Sequence, residues 1–337
     1  MSEILLSIII PIYNGADHLR RTIDSVLSSG IDSFPAEVLL IDDGSFDNTA
    51  SICNQFVKDY PTLFRYYYKD NGGQSSARNY GLFHAIGKYV YFLDDDDLLR
   101  PDSMGIFFSR FYDEKFDILG FSSDTVNDSS TLTIEKSVGG TVIFAGGGIE
   151  FLNRVIPTFV WVYWYRREFL LSNDLSFTIN NPEDVMFNLM VFRLNPLALI
   201  TSQKVICYMN YKEAGQLTKQ RAPGFLRQVL SGYMLYFKEL SNSRKTHNLG
   251  DEAVDLAIKA EIVPFTSRCL SSNLSSSEFR ELKNRLEEMD LLDFNPPINK
   301  VARCCLLIIK TPLFFPLYQI LYKCVFIKLI LPKLSRS

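Results

Sequence analysis

The sequence predicts an α/β fold: a mostly parallel, doubly wound sheet with a C-terminal helical extension. Near-continuous apolar runs of strand length, rich in β-branched residues, recur through the first half. Segments with apolar residues at helical spacing separate them, and helical periodicity dominates residues 223–292. Strands that are apolar throughout belong to sheets covered on both faces. Such sheets bind ligands beyond the carboxyl ends of their strands.

Residues 5–13 read as the first strand, a β-branched run whose ladder ends at Pro11. Over 17–29, Leu19, Ile23, Val26 and Leu27 recur with helical spacing. Residues 37–41 form the second strand, 48–58 a helix, 64–68 the third strand, 75–86 a helix, 89–93 the fourth strand and 117–121 the fifth. The stretch 122–137, rich in Ser, Thr, Asn and Asp, reads as a surface loop. An aromatic run over 159–165 follows, and then a helix after Pro182. No internal repeat is present, which excludes solenoids and propellers. A first domain is expected over 1–212 and a helical region over 213–337.

With 337 residues, 47% of them hydrophobic, the chain can bury a substantial core, so disorder is not the default. Lys and Arg number 35 against 38 Asp and Glu, a balance that excludes the one-sided charge of a nucleic-acid binder. The tail differs: beyond Asp293 there is no acidic residue, while Lys300, Arg303, Lys310, Lys323, Lys328, Lys333 and Arg336 are basic. Six scattered cysteines lack zinc-site spacing and read as reduced thiols in a cytosolic setting. The apolar start, broken at Pro11, reads as a buried strand and not as a signal peptide, and no run is long enough for a spanning helix.

Three polar clusters each follow an expected strand, where a ligand should bind. Pro11-Ile-Tyr-Asn14 offers Tyr13 as a flat face for a base, or is an ordinary strand-ending turn. Asp42-Asp43-Gly44-Ser45 places carboxylates where a base N–H or a ribose hydroxyl could donate, or caps the next helix. Asp94-Asp95-Asp96-Asp97 is the strongest signal. Four adjacent carboxylates repel one another, and a divalent cation that also bridges a diphosphate relieves them; a solvated charge run is the plainer alternative. Between the last two lies Asn71-Gly-Gly-Gln-Ser-Ser-Ala-Arg-Asn79, where Ser75 or Ser76 can cap a helix whose amino end, with Arg78, suits a phosphate. His18, His84 and His247 fit no ligand spacing and read as structural or surface residues. Trp161 and Trp164 could stack on an acceptor sugar or belong to the core. Lys212, Lys219 and Arg221 could form a basic flap or an exposed loop.

The motifs Ser7-Ile-Ile-Ile-Pro-Ile-Tyr-Asn14, Val38-Leu-Leu-Ile-Asp-Asp-Gly-Ser45 with Asp47 and Thr49, Asn71 to Asn79, and Tyr91-Phe-Leu-Asp-Asp-Asp-Asp97 with Pro101-Asp102 resemble glycosyltransferase family two. The resemblance covers about residues 4 to 210. It implies the glycosyltransferase-A fold, a Rossmann-like nucleotide-diphospho-sugar transferase, and inverting transfer from a nucleotide-sugar, usually a UDP-sugar, in cell-surface polysaccharide synthesis such as capsule. Tyr13 and Asp43, with Pro11, would hold the base, and Arg78 would lie near the nucleotide. Asp94 would serve the ribose or the hydration shell of the metal, and Asp96 would ligate Mg²⁺ or Mn²⁺. Asp95 stands where many relatives carry a small neutral residue, so work between Asp95 and Asp96 is left undivided. Glu183-Asp184 matches the family's late carboxylate pair, with Asp184 as base and Glu183 orienting the helix start or the acceptor. A carboxylate at a helix start can take the acceptor's proton, although acidic first turns also simply favour the dipole.

The acceptor would be a saccharide or lipid-linked hydroxyl, and no nucleic acid is expected as partner. The basic, apolar tail over about 296–337 would hold the protein at the cytoplasmic membrane face. Two rivals are a sugar nucleotidyltransferase and a membrane-associated binding module without catalysis. The first would carry a Gly-rich loop with Arg after strand one, where Tyr-Asn-Gly-Ala-Asp stands here.

Overall fold

The computed structural model describes residues 3–126, 140–152, 159–178, 183–209, 225–245, 251–271, 274–292, 300–316 and 318–319. The chain forms two compact units: Met1–Phe151 with Pro157–Lys219, and Leu152–Ile156 with Gln220–Ser337. Along the chain follow β1 (Leu6–Ile12), α1 (Leu19–Ser28), β2 (Ala36–Asp42), α2 (Thr49–Asp59), β3 (Phe64–Tyr68), α3 (Gln74–His84), β4 (Tyr89–Phe92), β5 (Leu98–Leu99) and α4 (Ser103–Phe111). Then come β6 (Ile118–Val126), β7 (Val142–Gly147), α5 (Gly148–Leu152), β8 (Tyr163–Arg166), α6 (Arg167–Ser172), α7 (Glu183–Phe192) and β9 (Leu197–Met209), before α8 (Phe225–Lys245), α9 (Asp251–Ser271), α10 (Ser276–Glu288) and α11 (Lys300–Lys310).

The described strands form one sheet in the order β3-β2-β1-β4-β8-β6-β9-β5, with β7 also paired to β9. β1, β2, β3 and β4 run parallel, as their apolar runs predict. Leu6, Ile8, Ile10 and Ile12 of β1 share a core with Leu19, Ile23 and Val26 of α1, Cys53 and Phe56 of α2, and Met104 and Phe107 of α4. The alternate residues face α3, which comes so close that a Cβ on Gly81 would lie 2.3 Å from Ile9 Cγ2. Both faces of these strands are therefore covered.

Beyond β4 the sheet is mixed rather than mostly parallel. β8 runs antiparallel to both β4 and β6, and β5 and β7 antiparallel to β9, while β6 and β9 run parallel. The aromatic run thus contributes a central strand, and Leu98-Leu99 forms a short strand and not only a turn. Residues 122–126, expected in a loop, continue β6 because β9 offers them a ladder: Ser123 pairs with Ile206 and Val126 with Met209, after irregularities around Ser122. Pro11 does not end β1 either. Ile12 O accepts from Asp43 N at 2.8 Å, so the backbone groups of Pro11 point the other way, where pairing with β4 has stopped at Ile9. A missing N–H costs nothing there.

In the second unit, Tyr233 and Phe237 of α8 meet Phe265 of α9, at ring-centroid separations of 5.7 and 5.3 Å. Ser275 and Glu278 form a capping box at the start of α10, and Phe279 stacks on Phe315 at 3.8 Å. α11 packs on α9; the rest of the tail, 320–337, lies outside the described residues. Among those described, no helix is long and apolar enough to cross a membrane.

One buried carboxylate ties together the ends of the strands opposite the polar clusters. Glu37 accepts from Ser7 Oγ at 2.7 Å and from the Ile86 amide at 2.9 Å, pairs with Arg65 at 3.2 Å, and Ser7 Oγ in turn accepts from the Gly87 amide at 2.8 Å. Glu37→Ala strands buried polar groups, each at a cost of about 1–3 kcal/mol. Arg65→Ala removes a side chain that is 45% exposed and leaves the hydrogen bonds from Ser7 and Ile86 to Glu37 in place, so it should cost less than Glu37→Ala. Urea unfolding checks the order: equal losses in the two variants would show that Glu37 does not act as this tie.

Candidate active site

The loops after β1 and β2 are stitched to each other. Asn14 sits in the left-handed region at φ 53°, its amide donates to Ser45 Oγ at 2.9 Å, and its side chain accepts from the Phe46 amide at 3.0 Å. The amides of Gly15 and Ala16 reach Thr49 Oγ1 and Asp47 at 2.9 and 3.1 Å. Burial works to raise the Asp47 carboxyl, but hydrogen bonds from the Thr49 hydroxyl and from the amides of Ala16, Thr49 and Asp47 itself outweigh it and hold it below its ordinary value. This frame leaves Tyr13 at the surface, 43% exposed and edge-on to Phe46 at 6.2 Å. Tyr13 is therefore placed to offer an aromatic face.

Asp43 is almost fully buried. Its oxygens accept from the amides of Gly72 and Gly73, the latter at 2.7 Å, and from Lys69 Nζ at 2.5 Å. The turn after it requires glycine: Gly44 has φ 80°, and a Cβ there would lie 2.8 Å from Asn71 N. The amides of Gly72 and Gly73 thus serve Asp43, and the cap of α3 falls on Gly73 and not on Ser75 or Ser76, which lie inside the helix.

The acidic motif leaves β4 at the carboxyl edge of the sheet, and its members point in different directions. Asp94 Oδ1 accepts from Arg78 at 2.8 Å and from Gln74 Nε2 at 3.0 Å. Asp95 turns back toward the loop after β1, where its carboxylate lies 3.2 Å from His18 Nε2 and its carbonyl accepts from Thr22 Oγ1 at 2.7 Å. His18 loses proton affinity through burial but gains more from Asp95 and Asp96, so its net shift is upward. Asp96 lies within electrostatic reach of His18 and Arg21. Burial, then Asp95 and Asp94, push its carboxyl up to about 7.

Arg78 is the hub of the site. Its guanidinium, 1% exposed, bonds Asp94 on one side and Asp184 at 2.6 Å and Glu183 at 3.4 Å on the other. The strand-four exit and the start of α7 are thereby brought to a single cation. Burial raises the proton affinity of Asp184, Arg78 opposes it, and Glu183 and Asp94 add to the rise; the net direction is upward because burial, helped by the two neighbouring carboxylates, outweighs the guanidinium. The Val160 amide also points at Asp184, at 3.4 Å.

A family model described as glycosyl transferase family 2 matches residues 7–174, the stretch that holds β1 to β4, the stitched loops, Arg78 and the acidic motif. The chain belongs to glycosyl transferase family 2. The minor teichoic acid biosynthesis protein GgaB of Bacillus subtilis is 42% identical over 110 residues, which are 32% of this chain and 12% of GgaB. The chain spans 12%, 30% and 51% of the lengths of three such curated relatives. A crystal structure of S. aureus TarS 1-349 in complex with UDP-GlcNAc superposes with a TM-score of 0.68 at 17% identity, covering 95% of this chain and 91% of that one. The mannosyltransferase PcManGT of Pyrobaculum calidifontis, in complex with GDP-Man and Mn²⁺, gives 0.51 at 13% identity, covering 94% and 86%. These likenesses establish the glycosyltransferase-A type of fold.

Whether the family 2 domain can hold a divalent ion is testable on its own residues. No group of three His, Cys, Asp or Glu side chains converges among the described residues, so there is no closed protein cage. The site is instead an open one, with a half-buried Asp96 whose raised proton affinity a cation would reverse, and Mg²⁺-type sites use one or two carboxylates plus substrate phosphates. The donor set fits an ion shared with a diphosphate.

Among the expected residues, the structure joins Arg78, Asp94, Glu183 and Asp184, and sets Asp95 apart from Asp94 by pairing it with His18. Pro11 lies inside the sheet. Trp164 is core, packed on Phe107 at 5.0 Å, and His84 stacks on Tyr67 at 4.5 Å. His247, Lys212, Lys219, Arg221 and Pro182 lie outside the described residues. The sequence reading misses the contact of His18 with the acidic motif and also Asn79, and no local pattern announces either. Arg78→Met should destabilise the domain by about 3 kcal/mol near pH 8, since it leaves partly buried carboxylates uncompensated. Without the guanidinium the folded state binds protons more tightly than the unfolded one, so the deficit should shrink as pH falls toward about 5.5. Urea midpoints at the two pH values decide; a pH-independent deficit counts against the hub.

Proposed function

We propose that this chain is an inverting glycosyltransferase that moves a sugar from a UDP-sugar to a hydroxyl of a saccharide or lipid-linked acceptor in cell-surface polysaccharide synthesis. The observation that carries the proposal is the double engagement of Arg78, which sets Asp184 beside the donor-side motif. Family membership, the UDP-GlcNAc bound to TarS and the teichoic acid role in the name of GgaB support the donor and pathway classes.

In the reaction, the acceptor oxygen forms its bond to the anomeric carbon as the bond to the diphosphate breaks. The acceptor proton passes to Asp184, and the departing diphosphate keeps the electron pair. A carboxylate with raised proton affinity suits this task, because the best base has a pKa near the working pH. Glu183 orients the start of α7 or the acceptor, Tyr13 and Asp43 hold the base, and Asp94 serves the ribose or the hydration shell of the metal. Asp96 would hold a divalent ion, Mg²⁺ or Mn²⁺, which would supply charge neutralisation for the diphosphate. The Mn²⁺ bound to PcManGT supports this assignment.

Release of UDP from UDP-GlcNAc, UDP-glucose and UDP-galactose with Mn²⁺ tests the activity; no turnover of any UDP-sugar would refute it. Asp184→Asn should lose on the order of 10²–10⁴ in rate while UDP affinity stays unchanged. If Asp184→Asn turns over at the wild-type rate, the base lies elsewhere. Calorimetry should show UDP binding that strengthens with Mn²⁺ in the wild type and loses that gain in Asp96→Ala; equal affinities throughout would remove the metal from Asp96. The basic tail would hold the enzyme at the cytoplasmic membrane face. Full-length protein should therefore partition onto anionic liposomes more than a version ending near residue 295, and identical partitioning would refute the attachment.

A further inference from the structure

Asn79 follows Arg78 on α3 and touches none of the carboxylates, yet its side chain closes both backbone groups of one distant residue. Its amide nitrogen donates to the Phe177 carbonyl and its oxygen accepts from the Phe177 amide, each at 2.8 Å. The ring held in this way meets three elements of the site at once. It stacks on Phe187 of α7 with centroids 4.1 Å apart and planes 6° apart, takes the Arg78 guanidinium 5.2 Å from its centroid, and receives Phe92 of β4 edge-on at 5.1 Å. Phe187 lies three residues after Asp184, one helical turn along α7, and Phe92 lies two residues before Asp94. Phe177 is therefore a wedge between the strand that delivers the acidic motif, the arginine that pairs with it and the helix that delivers the base.

We propose that Asn79 is a positioning residue for sugar transfer: by clamping the Phe177 backbone it fixes the wedge, and with it the place of Asp184 relative to the acidic motif. The inference rests on the reading of Asp184 as base. Ion pairs alone cannot set that distance, because guanidinium–carboxylate contacts tolerate sliding, whereas a packed ring does not. Displacements of about 1 Å at a reacting centre cost on the order of 10²-fold in rate, so the clamp acts on turnover and not on donor affinity.

The experiment compares Asn79→Ala, Asn79→Asp and Phe177→Leu with the wild type, using the UDP-sugar that the protein turns over fastest, with Mn²⁺. Asn79→Asp keeps the acceptor for the Phe177 amide and loses only the donor, so it serves if the alanine variant does not fold. Each variant should lose on the order of 10- to 100-fold in kcat, with KM for the donor and Kd for UDP within about twofold of wild type. Adding Asn79→Asp to Asp184→Asn should cost nothing further, because the clamp acts only through the base. Unchanged kcat, or a joint loss of UDP affinity and turnover, would overturn the proposal, as would additive losses in the double variant. If Asp184→Asn alone is fully active, the base assignment fails and this inference falls with it; an inactive Asp184→Asn with additive losses removes the clamp and leaves the base standing.

Discussion

A buried guanidinium cannot stay in a protein without partners, and the active unit is organised around satisfying one. Arg78 needs carboxylates at both ends of its fork, and the fold supplies them from β4 and from α7. That demand fixes where α3 must lie. Gly81 lets the helix settle onto Ile9 and Ile41, which brings Arg78 to the carboxyl edge of the sheet, while Phe177 fills the space beneath its charge. Three carboxylates around one cation leave surplus negative charge. Burial together with that surplus raises the proton affinity of Asp184, and burial with the neighbouring Asp95 and Asp94 raises that of Asp96.

The acidic motif divides its labour by direction. Asp94 looks to α3, Asp95 to α1 through His18, and Asp96 lies within electrostatic reach of His18 and Arg21. The departure of Asp95 from the small neutral residue common in the family has a local meaning here: it gives His18 and the loop that carries Tyr13 an anchor on the acidic turn. The loop after β1 and the acidic motif after β4 are thus segments that touch each other.

What the sequence discloses follows the range of its signals. β1 to β4 and the helices between them are legible because burial on both faces writes continuous apolar runs. β8 and β9 are not, because an aromatic strand inside a mixed sheet looks like a core run, and the polar end of β6 looks like a loop until β9 is seen beside it. The carboxylates were readable as clusters. Their pairing was not, since Arg78 and Asp184 are 106 residues apart, and His18 reaches Asp95 from the start of α1. Asn79 carries no signal at all, since a lone asparagine in a helix gives no hint of a partner almost a hundred residues away.

The buried Glu37 knot lies at the end of the sheet away from every residue of the site. Cohesion and chemistry therefore occupy opposite poles of the same strands. A lineage that rewrites the loops at the carboxyl pole, to take another sugar or another acceptor, changes nothing in the network that keeps β1, β2 and the α3–β4 turn aligned. The polarity of the sheet makes the specificity of such an enzyme an interchangeable part, and its register an inherited one.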